Sequence, residues 1–250
     1  MTGRGSNVRF LALVAAFLIV VAGCSLNTQP ARSASGATTT AAATTTTTTA
    51  TAATTAAPSH GRLISGIPPV PDLPATAMID RLRVAQPSEP KPYQRKDFGA
   101  GWSYDRRTKC NTRELVLAEE SGPGLVVGEK CKPLSGTWTS LYDGVVTHDP
   151  STLEIDHLVP LAEAWRSGAA DWTAGRRRAF ANDLSDPGAL VAVTSNSNRS
   201  KRDSTPARWL PSSQSDRCRY VTDWIRVKYR WGLSVSPNEK AVLVQVLAGC

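Results

Sequence analysis

The first 60 residues contain no acidic side chain, and residues 33–59 carry no charge of either sign. Long apolar runs are almost missing as well. One segment qualifies, Phe10 to Gly23, and its 14 uncharged residues fall short of the roughly 20 that a spanning helix needs. A polytopic membrane protein is excluded. No CxxC pair is present, nor the HExxH of a zinc protease or the GxSxG of a serine hydrolase. A wholly disordered chain is excluded in turn, because 7 Trp, 5 Tyr and an ordinary aliphatic content can bury a core.

What is there divides the 250 residues into three parts. Arg4 and Arg9 precede the apolar segment, and Val21-Ala22-Gly23-Cys24 follows as a lipobox-like end, so residues 1–24 read as a signal peptide with Cys24 as the lipidation site. A plain cleaved signal peptide is the alternative. Residues 25–61 are rich in Thr, Ala and Ser and have almost nothing large to bury, which makes them a disordered tether. A coil of about 35 residues spans ~30–35 Å, enough to hold a domain clear of a membrane. Residues 62–250 are the folded domain. The expected location is outside the cytoplasm, lipid-anchored to the membrane or envelope, or secreted.

Four cysteines remain after Cys24: Cys110, Cys131, Cys218 and Cys250. An even number in an exported domain points to two disulfides, with Cys110–Cys131 and Cys218–Cys250 favoured because each pair lies within one local segment. Helices are expected over Ala75–Ala85, Thr112–Glu120, Leu161–Ser167, Thr173–Asn182, Asp216–Trp231 and Pro237–Leu247, with a further helical segment through Pro206–Leu210. Strand-like runs cover Gly124–Lys130, Gly136–Thr147 (broken by a turn at Tyr142-Asp143-Gly144), Thr152–His157 and Leu190–Thr194. The fold class is α+β, one domain.

The strand Thr152–His157 delivers Glu154, Asp156 and His157 just before Pro160, and the strand Leu190–Thr194 runs into Ser195–Asp203, a cluster of Ser, Asn, Lys and Arg. Asp and Asn oxygens are hard ligands suited to Mg2+, which keeps most of its waters. A histidine beside such an ion can take the proton of an attacking water. The chemistry expected from these residues is phosphodiester hydrolysis assisted by one divalent metal, Mg2+ or Mn2+.

The run Glu154-Ile155-Asp156-His157-Leu158-Val159-Pro160-Leu161, then Ala181-Asn182-Asp183-Leu184, then Asn198-Arg199-Ser200-Lys201, resembles the HNH or His-Me finger (ββα-metal) nucleases. Within them it is most similar to the secreted branch of the group called the GmrSD restriction endonuclease C-terminal domain. Tyr93–Gly99 and Cys110–Arg113 resemble that branch's N-terminal half, and Cys218, Trp224, Lys228 and Cys250 its close. The resemblance implies a ββα-metal finger embedded in a mostly helical, disulfide-bonded domain. It implies His157 as the base that activates water, and Asp156 and Asn198 as metal ligands. It also implies Asn182 as a brace by hydrogen bonds, and Lys201 and Arg199 as cations for phosphate or the transition state. Arg113 is a further phosphate contact; Asn111 departs from the branch's usual Asp and receives no role. Simpler readings stand beside these: Asn198 as a helix cap, Asn182 as a C-cap, Lys201 as a solvated charge, His148 as ordinary surface.

Residues 165–230 carry 13 Lys/Arg against 6 Asp/Glu, a net +7, whereas residues 62–164 come to 12 against 14. Arg176, Arg177, Arg178, Arg217, Arg219, Arg226, Lys228 and Arg230 are therefore candidates for tracking a polyanion. The partner expected is DNA, with RNA open, cut without sequence preference. The rival expectation is an inactive envelope lipoprotein that binds nucleic acid or another polyanion.

Overall fold

Helices and short strands alternate along residues 66–250, the part of the chain that the computed structural model describes. The expected leader, Cys24 and the tether lie outside the described residues. In order the elements are α1 (Ala75–Arg81), α2 (Thr112–Glu120), β1 (Val126–Val127), β2 (Pro133–Ser135), β3 (Trp138–Thr139), β4 (Val146–Thr147) and β5 (Leu153–His157). Then come α3 (Leu161–Arg166), α4 (Ala174–Ala181), β6 (Leu190–Thr194), α5 (Ser195–Lys201), α6 (Gln214–Trp231) and α7 (Pro237–Leu247). Helix and strand are thus mixed in one domain, as the α+β expectation has it. No helix among the described residues is long and apolar enough to cross a membrane.

Strands β5 and β6 pair antiparallel from Leu153↔Thr194 to His157↔Leu190, and α5 follows β6 without a loop. Alternation along β5 separates its side chains. Leu153 and Ile155 join Leu190 and Ala192 of β6 in a small core with Val116, Leu117 and Trp138. Val191 and Val193 face the opposite way, into the larger core built with α1, α3, α4, α6 and α7. The outer edge of β6 is covered by side chains: the Ala192 amide donates to Glu120 and the Thr194 amide to Ser140. This edge has no exposed row of unpaired amides.

Helix ends carry their expected signals. Asn111 and Ser236 form capping boxes with Glu114 and Glu239, and α6 stops at Gly232 in the left-handed region. Both disulfides join the favoured pairs, Cys110–Cys131 and Cys218–Cys250. The second ties the first turn of α6 to the residue that ends the chain after α7.

Two expectations need correction. The expected helix at Pro206–Leu210 is a turn, and the helix begins earlier, directly at Ser195. The Thr194 hydroxyl accepts from the Ser197 amide and starts α5, although Ser and Asn are weak helix formers. The strand runs Gly124–Lys130 and Gly136–Thr147 shrink to two-residue pairings at Val126–Val127, Trp138–Thr139 and Val146–Thr147. Gly and Pro around them interrupt the ladder.

Candidate active site

The C-terminal end of β5 and the second half and end of α5 border an open cleft of about 500 Å³, lined among others by Tyr93, Arg95, Asp156, His157, Asn198 and Arg202. Each of its three candidate residues is held through one polar side-chain atom, and the other polar atom has no partner among the described residues. His157 is 6% exposed, and its Nε2 lies 3.0 Å from the Ala181 carbonyl. A carbonyl only accepts, so Nε2 carries the proton and Nδ1 keeps its lone pair. No partner for Nδ1 exists among the described residues. Trp102 stacks on the ring with centroids 5.3 Å apart. Burial lowers the imidazole pKa to about 4, against the opposing pull of the Ala181 carbonyl and the Asp156 charge, so the ring is neutral at pH 7.

Asp156 accepts on Oδ2 from two donors, the Tyr142 hydroxyl at 2.7 Å and the Lys201 ammonium at 2.7 Å. Its Oδ1 has no partner among the described residues. Asn198 donates through Nδ2 to Glu154 at 2.7 Å, and since a carboxylate only accepts, this contact fixes which end of the amide is which. Glu154 and Asp156 are two apart on β5 and so share the face against which α5 packs.

Asn182 is buried at the end of α4, where Oδ1 accepts from the Ser103 amide at 2.6 Å and the Thr112 hydroxyl at 2.8 Å, and Nδ2 donates to the Arg178 carbonyl. It neighbours Ala181, whose carbonyl orients His157. Arg199, next to Asn198 on α5, has a side chain 71% exposed, with one nitrogen 3.7 Å from Glu154.

Lys201 does not sit where a phosphate contact was expected. Its side chain is 0% exposed and donates to Asp156 and to the His157 carbonyl at 3.1 Å, inside the fold. Arg113 is also placed differently: its guanidinium donates to the carbonyls of Pro150 and Leu153, at the far end of β5 from His157. His148 bridges Thr137 and the Gly136 carbonyl, away from the cleft.

Part of the basic stretch is held by the fold. Arg226 pairs with Asp186 and Asp223, Lys228 with Glu163 and Glu239, and Arg230 with Asp183. Arg176, Arg177 and Arg217 donate to backbone carbonyls, of Trp231, Asp97 and Pro211 in turn. The net +7 of residues 165–230 is thus divided: these side chains are held by the fold, whereas Arg178, Arg202 and Arg208 are exposed with no side-chain partner among the described residues. The cations that line the cleft are Arg95, Arg166 and Arg202. Of these, Arg166 is bound to Glu163 and Asp203, whereas Arg95 and Arg202 have no side-chain partner among the described residues.

Sequence reading gave no role to Tyr142, Trp102, Arg95 or Arg202. Glu154 had a usable signal in its period-two relation to Asp156, and Arg202 in its place beside Lys201; Tyr142, Trp102 and Arg95 reach the site through long-range packing.

The donor chemistry fits a divalent ion held by few protein ligands. Asp156 and Asn198 each present one hard oxygen, and no group of three His, Cys, Asp or Glu able to hold a metal exists among the described residues. A zinc-type cage is not formed there; an ion that keeps most of its waters matches the donors better.

A family model described as GmrSD restriction endonucleases, C-terminal domain, matches residues 129–246, which include β5, β6 and α5. A protein named "Uncharacterized secreted protein" from Arthroderma benhamiae is 41% identical over 187 residues, 74% of this chain and 90% of the relative. No solved structure matches. Strand β5 and helix α5, which border the cleft, and β6 paired with β5 fall inside the matched segment, and the chain belongs to the family of GmrSD restriction endonuclease C-terminal domains.

Proposed function

We propose that this domain is an extracytoplasmic, metal-dependent endonuclease that hydrolyses phosphodiester bonds of DNA, and of RNA where a strand can enter, without reading sequence. Family membership supports a nuclease-related function. The observation that carries the finer reading is the common cleft lined by His157, Asp156 and Asn198, each anchored through one polar atom while the other is without a partner among the described residues. On this reading β5, β6 and α5 are the two strands and the helix of a ββα-metal finger.

His157 would accept the proton of the attacking water at Nδ1, its ring held by Ala181 and kept neutral by burial. The imidazolium formed would be stabilised by the same carbonyl and by the Asp156 charge. Asp156 and Asn198 would hold one Mg2+ or Mn2+, which supplies charge stabilisation for the scissile phosphate and its leaving oxygen. Arg199 beside Asn198, with Arg95 and Arg202 in the cleft, would orient the phosphate backbone. Lys201 and Asn182 act as positioning residues, because neither side chain reaches solvent. The secreted relative supports export; on this reading Cys24 would be the lipid anchor, residues 25–61 the tether and residues 62–250 the nuclease domain.

The test incubates the purified protein with plasmid DNA and with RNA, in Mg2+ or Mn2+ and then in EDTA. Cleavage that EDTA stops and that His157→Ala lowers by about 10^2–10^4 is expected. Equal cleavage by His157→Ala overturns the mechanism. Intact substrate with every metal but a retarded gel band favours an inactive polyanion-binding lipoprotein.

A further inference from the structure

Two donors converge on one oxygen of Asp156 and leave the other bare. Tyr142 and Lys201 both reach Oδ2, at 2.7 Å each, although a carboxylate offers two oxygens. The Asp156 side chain is only 12% exposed, yet Oδ1 is not among the buried polar atoms lacking a partner, so it keeps its access to the cleft. The buried carboxylates of Asp183, Glu163 and Glu239 accept on both oxygens instead.

The donors themselves are costly to place. Lys201 is fully buried, and a methionine would fill its volume without the desolvation of an ammonium. Tyr142 is fully buried too, its ring wedged edge-on against Trp209 at 4.9 Å and Tyr220 at 5.7 Å, so its hydroxyl has little freedom to point elsewhere. The Lys201 ammonium lies 5.7 Å from the centroid of that ring and also holds the His157 carbonyl at 3.1 Å. The pair therefore locks the backbone and the carboxylate at the two residues where β5 meets the cleft.

We propose that Tyr142 and Lys201 are a positioning pair that immobilises Oδ2 of Asp156 and presents Oδ1 as a one-oxygen ligand to a divalent cation. This rests on the metal-dependent reading given above. Neither residue touches substrate in this role; both act through Asp156. An outer partner of this kind typically governs metal affinity by about 10–100-fold.

The experiment titrates Mn2+ into the purified protein without nucleic acid and follows the free ion by electron paramagnetic resonance. The parent, Tyr142→Phe, Lys201→Arg and Asp156→Asn are compared, with the thermal midpoint read on the same samples. Tyr142→Phe keeps the packed ring and Lys201→Arg keeps the charge while displacing the donor. The expected result is a Kd for Mn2+ raised about 10–100-fold in either folded variant. In cleavage assays the Mn2+ concentration for half-maximal rate should rise in step, while the rate at saturating Mn2+ returns toward the parent's. A structural role alone would lower the thermal midpoint and leave the Kd unchanged.

If Tyr142→Phe and Lys201→Arg bind Mn2+ as the parent does while Asp156→Asn does not, the positioning role is wrong and the metal reading stands. If the parent binds neither Mn2+ nor Mg2+, the metal reading fails and the pair's role falls with it.

Discussion

His157 and Ala181 are joined by a 3.0 Å hydrogen bond from the imidazole Nε2 to the backbone carbonyl, which ties the end of β5 to the end of α4. The imidazole and the carbonyl that orients it come from different elements 24 positions apart in sequence. Anything that shifts the last turn of α4 shifts the ring.

Asn182→Ala is the direct probe of that dependence. It strips the acceptor from the Ser103 amide and the Thr112 hydroxyl, both buried, at a cost of about 1–3 kcal/mol. The thermal midpoint should fall. Cleavage measured well below that midpoint should still be slower than the parent's, because the Ala181 carbonyl is no longer braced. Full activity in the folded variant would show that the brace serves stability alone.

Arg202 should respond in opposite senses. It ends α5 with φ 55° and ψ −130°, in a turn closed by the Ser204 amide on the Lys201 carbonyl, at a position that favours glycine. Arg202→Gly should raise stability by about 1 kcal/mol by relieving that backbone. The same change removes a cation from the cleft, so KM for DNA should rise. Thermal unfolding and steady-state cleavage of one preparation test both halves.

Glu120 provides a pH signature away from the cleft. Burial raises its pKa from 4.5 to about 7, against the Ala192 amide that donates to it. Between those values the folded state binds more proton than the unfolded chain, so stability falls as pH rises from about 4.5 through about 7. Glu120→Gln removes the cost of burying the charge. Its thermal midpoint should exceed the parent's at pH 8, by an amount worth about 1–3 kcal/mol, and approach it at pH 5. A difference independent of pH would contradict the assignment.

Arg113→Met separates a brace from a substrate contact. The guanidinium holds the Pro150 and Leu153 carbonyls, so the variant should lose stability, about 1–3 kcal/mol, with KM for DNA unchanged.

Much of this arrangement is legible in the sequence, and the gaps have physical causes. Periodicity and caps locate α2, α4, α6, α7, β5 and β6 within a few residues. Helix α5 escapes notice because Ser-Asn-Ser-Asn has weak propensity and depends on the Thr194 cap and on packing against β5 and β6. The candidate trio in the cleft is readable as a motif. Its support is not: Tyr142 and Lys201 meet Asp156 from 14 and 45 positions away, and no local pattern announces such a contact. Burial of charge is equally hidden, since the carboxylate that neutralises Arg230 lies 47 positions earlier.

The inward pairing of Arg226, Lys228 and Arg230 bears on how binding should vary with ionic strength. Lysines and arginines already neutralised by Asp and Glu release no counterions from DNA. The slope of log affinity against log salt follows the number of phosphates met, with each contact contributing about −0.9 on duplex DNA. Arg95 and Arg202, the cleft cations without a carboxylate partner among the described residues, should together contribute about −2 to that slope, far less than a count of this basic chain's charges would suggest.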